Sequence, residues 1–182
     1  MPGGAADMGL AAGRAPMVAS IPSMEIAVAV LRVVNLVAAA FLAGGQMFCK
    51  IAVLPALPGF PPAMSARVHA DALTDRPHLF LRAWGIVEVL TGVALVALLA
   101  VHGVTPALVL TAVGLALTVV SGLVSTKEWP INEEIKSWGL EPKLDRYAEL
   151  RRLWDLRHVR RTWLSLAALV SFAAAMAVAG TV

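Results

Sequence analysis

The sequence predicts an all-α integral membrane protein: a four-transmembrane-helix bundle with a short interfacial helix in its third loop. Three observations predict it. Of 182 residues, 59% are hydrophobic and only 15% charged, whereas a soluble domain averages about half apolar and about a quarter charged. The apolar excess is gathered into four runs, each near the ~20 residues that cross a bilayer. Lys and Arg concentrate in two of the segments between runs, as membrane topology requires.

Residues 1–24 are rich in Gly, Ala and Pro with a single Arg14, and are expected to form a disordered tail. Met8, Met17 and Met24 are each candidate starts. A cleaved signal peptide is the competing expectation. It is the weaker one, because the following apolar run exceeds the ~7–15 residues of such a region and lacks a basic lead-in. Residues 25–182 form one transmembrane domain.

Span 1 is expected over about 26–48. Pro55, Pro58, Pro61 and Pro62 follow in the loop 49–78, and that much proline argues against a regular helix at its start. Span 2 covers about 79–101, and the link from His102 to Pro106 is too short to hold a domain. Span 3 covers about 107–125, residues 126–160 are the most polar segment, and span 4 covers about 162–180. Within the polar segment, Pro130 suits a first helical position, and Glu133 and Glu134 favour a helix N-terminus. Trp129, Ile131, Ile135 and Trp138 give that short helix an apolar edge for the membrane surface. Pro142 can start the next helix, and nothing from there to Gly180 breaks it.

Lys50, Arg67, Arg76 and Arg82 mark the first loop. Nine more Lys and Arg, from Lys127 to Arg161, mark the third. Basic loops stay inside, so loops 49–78 and 126–160 are expected in the cytoplasm and both termini outside the cell membrane. The same placement explains the net charge of +3 without nucleic acid. One cysteine, Cys49, excludes an intrachain disulfide, and CxxC and Cys/His zinc patterns are absent. No repeat or mid-span helix break suggests a transporter.

Polar residues inside the spans fall on stripes. Arg32, Asn35, Gln46 and Lys50 share one face of span 1, and Trp84, Glu88, Thr91 and Gly92 one face of span 2. Thr111, Gly114, Thr118, Ser121 and Ser125 repeat every three to four residues in span 3, a pattern that lets membrane helices approach closely. A charge at the depth of Glu88 costs ~2.5–3.5 kcal/mol on the insertion scale. Glu88 is therefore expected to face other helices, as a hydrogen-bonded structural acid or a functional one. Arg32 lies too near the other end of its span to be its partner, and Gln46 is closer in depth.

Arg151, Trp154, His158 and Arg161 are spaced three, four and three residues apart, which lines them along one helical seam. Tyr147 extends the seam outward and Ser165 inward. An imidazole beside two permanent cations favours its neutral form, and a neutral imidazole can serve as a general base. The competing reading is interfacial anchoring by Trp and Arg, and in either case an interfacial His158 is not expected to fill the core. His69, Asp71, Asp75 and His78 form a second cluster, ordinary solvated loop residues or metal ligands. A metal or haem held by His69, His78 and His158 is the minor alternative to a cofactor-free site.

The stretch Trp129-Pro130-Ile131-Asn132, then Trp138, Arg151-Arg152-Leu153-Trp154, His158 and Arg161 resembles the anthrone oxygenase-like family of small four-span membrane proteins. The family pattern is a Pro-x-Asn after the third span, a Trp, and Trp-x-x-x-His-x-x-Arg leading into the fourth. Pro130, Asn132, Trp138, Trp154, His158 and Arg161 match it. The topological likeness covers about 25–180, and the motif covers 129–161.

The resemblance implies oxidation of an activated aromatic carbon, as in anthrone to anthraquinone, with no cofactor required. It implies His158 as base, Arg161 as oxyanion partner and Asn132 orienting the substrate; Glu88 joins this expected catalytic set as an ionisable group inside the membrane. Trp154, Arg151 and Trp138 would bind substrate. The expectation is thus a membrane oxidoreductase or monooxygenase acting on a hydrophobic aromatic or quinol-like molecule. The rival is a non-enzymatic four-helix subunit or lipid-binding scaffold. Expected partners are the lipid bilayer and a hydrophobic small molecule, with homo-oligomerisation left open.

Overall fold

The computed structural model describes residues 22–74, 76–101 and 103–179. The expected N-terminal tail up to residue 21, Asp75, His102 and residues 180–182 lie outside these. So do the side chains of Pro22, Ser23, Arg76, Pro77 and His78.

Four long helices carry the fold. α1 (Pro22–Phe48) leads through a π turn (Cys49–Val53) into the single turn α2 (Leu54–Ala56) and a 3₁₀ turn (Leu57–Gly59). α3 (Pro62–Val68) and a second π turn (His69–Leu73) complete the first loop, and α4 (Arg76–Ala100) returns. α5 (Pro106–Thr126), the short α6 (Trp129–Ser137) and the long α7 (Leu144–Ala179) follow. In space α1 packs on α4, α4 on α5, α5 on α7, and α7 on α1, which closes a four-helix ring.

The expected break at the start of the first loop is corrected. The chain stays helical through Pro55 and Pro58 as far as Gly59, turns extended at Phe60 and Pro61, and resumes at Pro62, because each of Pro55, Pro58 and Pro62 sits in the opening turn of a new short segment. There its missing N–H has no intrahelical partner to lose.

The four helices are long and apolar enough to cross a membrane, and only 22–28% of each apolar window is buried inside the chain. Their apolar side chains face outward, where only lipid favours them. The interior is correspondingly polar: Asn35, Gln46, Glu88, Thr118, Ser121, His158 and Arg161 are all buried. This inside-out arrangement makes the chain a multi-pass membrane protein.

The small-residue stripe of α5 faces inward, with Thr111, Gly114, Thr118 and Ser121 buried. Gly114 accepts the Phe172 ring of α7 so closely that a Cβ there would lie 2.8 Å from it. Thr111 returns its hydroxyl to the carbonyl of Ala107, which satisfies it within the helix.

At the loop end, α6 and α7 close over the first loop. Leu54, Leu57, Ala66, Ile131, Ile135, Trp138, Tyr147, Leu150 and Trp154 make one apolar cluster. Tyr147 Oη donates to the Ser65 carbonyl at 3.0 Å, and Arg151 Nη2 to the Leu54 carbonyl at 3.1 Å. Arg146 ties α7 to Glu134 of α6 at 2.8 Å.

Candidate functional site

α7 brings His158 and Arg161 onto one inward face, three residues apart. Arg161 donates to His158 Nδ1 through Nη2 at 2.8 Å and through Nε at 3.3 Å. A guanidinium has no acceptor, so Nδ1 must be the accepting nitrogen. Nε2 then carries the hydrogen and donates it to the Gln46 carbonyl at 3.0 Å. The imidazole is thereby fixed in one neutral tautomer, with both nitrogens engaged.

Its surroundings are equally closed. His158 is 0% exposed and stacks parallel on Trp154, ring centres 4.9 Å apart. An anchoring role at the surface is therefore excluded for His158, and so is the idea that it can be removed without touching the core. A lone pair for a metal or haem iron is not free on either nitrogen.

The other Arg161 donors reach α5 and its C-terminal turn. Nη1 lies 3.1 Å from Glu128 Oε2 and donates to Ser125 Oγ at 3.2 Å. Ser121 Oγ donates to the Arg161 carbonyl and meets Ser165 Oγ at 2.9 Å. Arg161 thus joins α5 and α7 through a buried ion pair. Sequence reasoning missed Glu128, which stands beside Lys127 and reads as an ordinary loop acid.

Glu88 is 1% exposed and faces helices, not lipid. Thr118 donates to its Oε1 at 2.6 Å. Asn35 donates to the Glu88 carbonyl and to Thr91 Oγ1, both at 2.9 Å. The side-chain partner is therefore Thr118 of α5, where depth alone had favoured Gln46. Asn35, on the expected polar face of α1, holds the backbone instead.

Three residues assigned to substrate have other work in this structure. Trp154 is 2% exposed, with one face on His158 and a 4.7 Å edge contact with His69, so no ligand can stack on it as the chain stands. Arg151 pairs with Asp155 at 3.0 Å while holding the Leu54 carbonyl. Trp138 packs edge-on to Tyr147 inside the loop-end cluster. All three clasp the first loop to α7, because the long projection of that helix needs a covering surface.

Asn132 is buried, and its neighbour is His69 of the first loop. Burial and the Arg151 cation lower the His69 imidazole to about 4, and the nearby Asn132 amide opposes this less strongly. Asn132 Oδ1, both His69 nitrogens and Trp154 Nε1 nevertheless lack a partner within hydrogen-bonding geometry. Ordered water is the usual resolution for such groups. Among the described residues no cluster of three His, Cys, Asp or Glu can hold a metal ion. The expected ligands Asp75 and His78 lie outside what is described.

One cavity touches this chemistry. About 450 Å³ in volume, it lies between α4 and α5, with Leu42 and Gln46 of α1 and Arg161 of α7 also lining it. Ile86, Leu90, Val119 and Leu123 line it and are exposed on the outer surface of the bundle. The cavity therefore opens sideways toward lipid. Thr118, Ser121, Ser125 and Arg161 line its polar part. Arg82 and Trp129 line it too, the guanidinium 5.4 Å from the ring centre. Sequence patterning marked Arg82 only as a flanking charge and Trp129 only as an apolar edge.

Compared with known protein families, curated proteins and solved structures, the chain matches none.

Proposed function

We propose that this protein is a membrane oxidoreductase that takes a planar, lipophilic, phenol- or quinol-like aromatic from the bilayer into the α4–α5 pocket. One observation carries the reading: an apolar cavity open toward lipid that ends at a buried arginine. Its volume falls in the range of small-molecule sites, which are mostly apolar with a few placed polar groups.

In this reading Arg161 stabilises negative charge that develops on a substrate oxygen. The carboxylates at hand to take a proton are Glu128, beside Arg161, and Glu88, behind Thr118. Each has one buried oxygen without a partner. For an anthrone-like substrate the balanced reaction converts a ring CH₂ and dioxygen into a ketone and water. Deprotonation comes first, and the carbanion passes its electrons to dioxygen. No cofactor is needed for that sequence.

The test blocks the pocket without disturbing packing. Gly122 lines the cavity and has open space where a Cβ would stand. In nanodiscs, Gly122→Phe should abolish anthrone-dependent oxygen consumption by the otherwise folded protein. Unchanged consumption sinks the assignment of the pocket.

A second reading keeps the pocket and drops the chemistry. The engaged nitrogens of His158 and the buried Trp154 favour a lipid-binding scaffold in which the seam only holds helices together. Binding of anthrone without any oxygen uptake would select that reading.

A further inference from the structure

We infer that the α4–α5 pocket selects anionic aromatics, a carboxylate or phenolate on a planar apolar body, and that Arg82 determines this selectivity. The inference rests on the pocket being the binding site proposed above.

Charge is the first argument. The residues lining the cavity include two arginines, Arg82 and Arg161, and no carboxylate. The two cations are not equivalent. Arg161 has Glu128 Oε2 at 3.1 Å and is also committed to His158 and Ser125. Arg82 has no carboxylate partner among the described residues and lies over the Trp129 ring. A guanidinium on an aromatic face keeps its edge donors available for an oxyanion.

Position is the second argument. Arg82 lies one to two turns from Gly85, Ile86, Val89 and Leu90, the α4 residues that form the apolar wall. An amphiphile lying along that wall would bring its charged end to Arg82 and leave its body against lipid-facing side chains. Ser125 and Thr126 add hydroxyls at the same end. A cation at the edge of an apolar slot attracts an anion over its neutral isostere, since hydrogen bonds to charged groups are about twice as strong.

Anionic phospholipid offers the same headgroup chemistry. The single lateral slot favours a flat aromatic body over two acyl chains, and the experiment separates the two.

The protein is placed in phosphatidylcholine nanodiscs and titrated with anthracene-2-carboxylate and with its neutral isostere 2-(hydroxymethyl)anthracene. The carboxylate should bind about tenfold more tightly, the usual value of one added charge-assisted contact. Arg82→Gln should collapse that ratio to about one, and Arg82→Lys should retain part of it. Equal binding of the two probes by the wild type overturns the charge selectivity and leaves the pocket reading standing. Binding of neither probe overturns the pocket reading itself. An unchanged ratio in Arg82→Gln removes Arg82 as its determinant. Displacement of the carboxylate by phosphatidylglycerol, and not by phosphatidylcholine, would assign the slot to phospholipid and overturn the aromatic ligand.

Discussion

Arg161 Nη1 and Glu128 Oε2 lie 3.1 Å apart with both side chains almost wholly buried. The pair joins the end of α5 to α7 where the cavity ends. Removing one member of a buried pair strands the other charge and costs about 3–5 kcal/mol, whereas replacing both by apolar residues is often neutral. Arg161→Leu should therefore destabilise strongly, and Arg161→Leu with Glu128→Leu should recover most of the loss. Unfolding in detergent micelles measures both. A double variant no better than the single would mean that the arginine acts through packing, not through charge.

Helix approach gives a steric prediction. A Cβ at Gly114 would stand 2.8–2.9 Å from three Phe172 ring carbons, closer than any real contact. Gly114→Ala should cost about 1–3 kcal/mol, the usual range for overpacking. Phe172→Leu should rescue it by opening the space. Equal stability of Gly114→Ala and wild type in the same unfolding assay would contradict the packing of α5 on α7.

The four spans and α6 were legible because each signal is local: run length, a proline, a glycine, a small-residue stripe. The observed α5 and α6 begin and end within about two residues of the sequence expectation, the usual uncertainty at helix ends. The first loop was not legible, because its prolines carry opposite meanings at the start and in the middle of a helix. The seam was legible as a face, since spacing alone puts Trp154, His158 and Arg161 together. What that face touches depends on partners far away in sequence, Gln46 and Glu128, and no spacing rule names them. Arg82 was passed over for the same reason: only the folded cavity distinguishes it from other flanking cations.

Buried His69 predicts a pH effect. Its imidazole is lowered from 6.5 to about 4, so between those values the unfolded chain binds a proton that the folded chain excludes. Stability from this residue is complete above pH 6.5 and is lost as pH falls toward 4. The full loss is up to about 3 kcal/mol at 1.36 kcal/mol per unit. His69→Leu should flatten the slope of stability against pH across that window. An unaltered slope would assign it to other groups.

Orientation follows from the basic loops. A single cysteine placed at Lys143 in a Cys49→Ala background should resist an impermeant reagent applied to intact cells, and one placed at Thr181 should react. The reverse pattern would invert the bundle and put the loop end, with its arginines, outside.

His158 is the sharpest test of how the site works. Both of its nitrogens are occupied, Nδ1 by Arg161 at 2.8 Å and Nε2 by the Gln46 carbonyl at 3.0 Å. A base must release one of these before it can take a proton, and the ring does not itself line the cavity but stands behind Arg161 and Gln46, which do. On this geometry His158 is expected to hold Arg161 in place instead of moving protons. His158→Ala should destabilise the fold by about 2–4 kcal/mol, since it empties buried volume and leaves a carbonyl and a guanidinium short of partners. Because a loss of turnover in that variant would follow from unfolding alone, the informative substitution is His158→Asn, whose amide oxygen can still accept from Arg161. A positioning residue replaced this way should lower anthrone-dependent oxygen uptake less than about tenfold, whereas loss of a general base costs about 10²–10⁴-fold. A drop of that larger size in folded His158→Asn would restore the imidazole as the base and require the ring to break its bond to Arg161 during turnover.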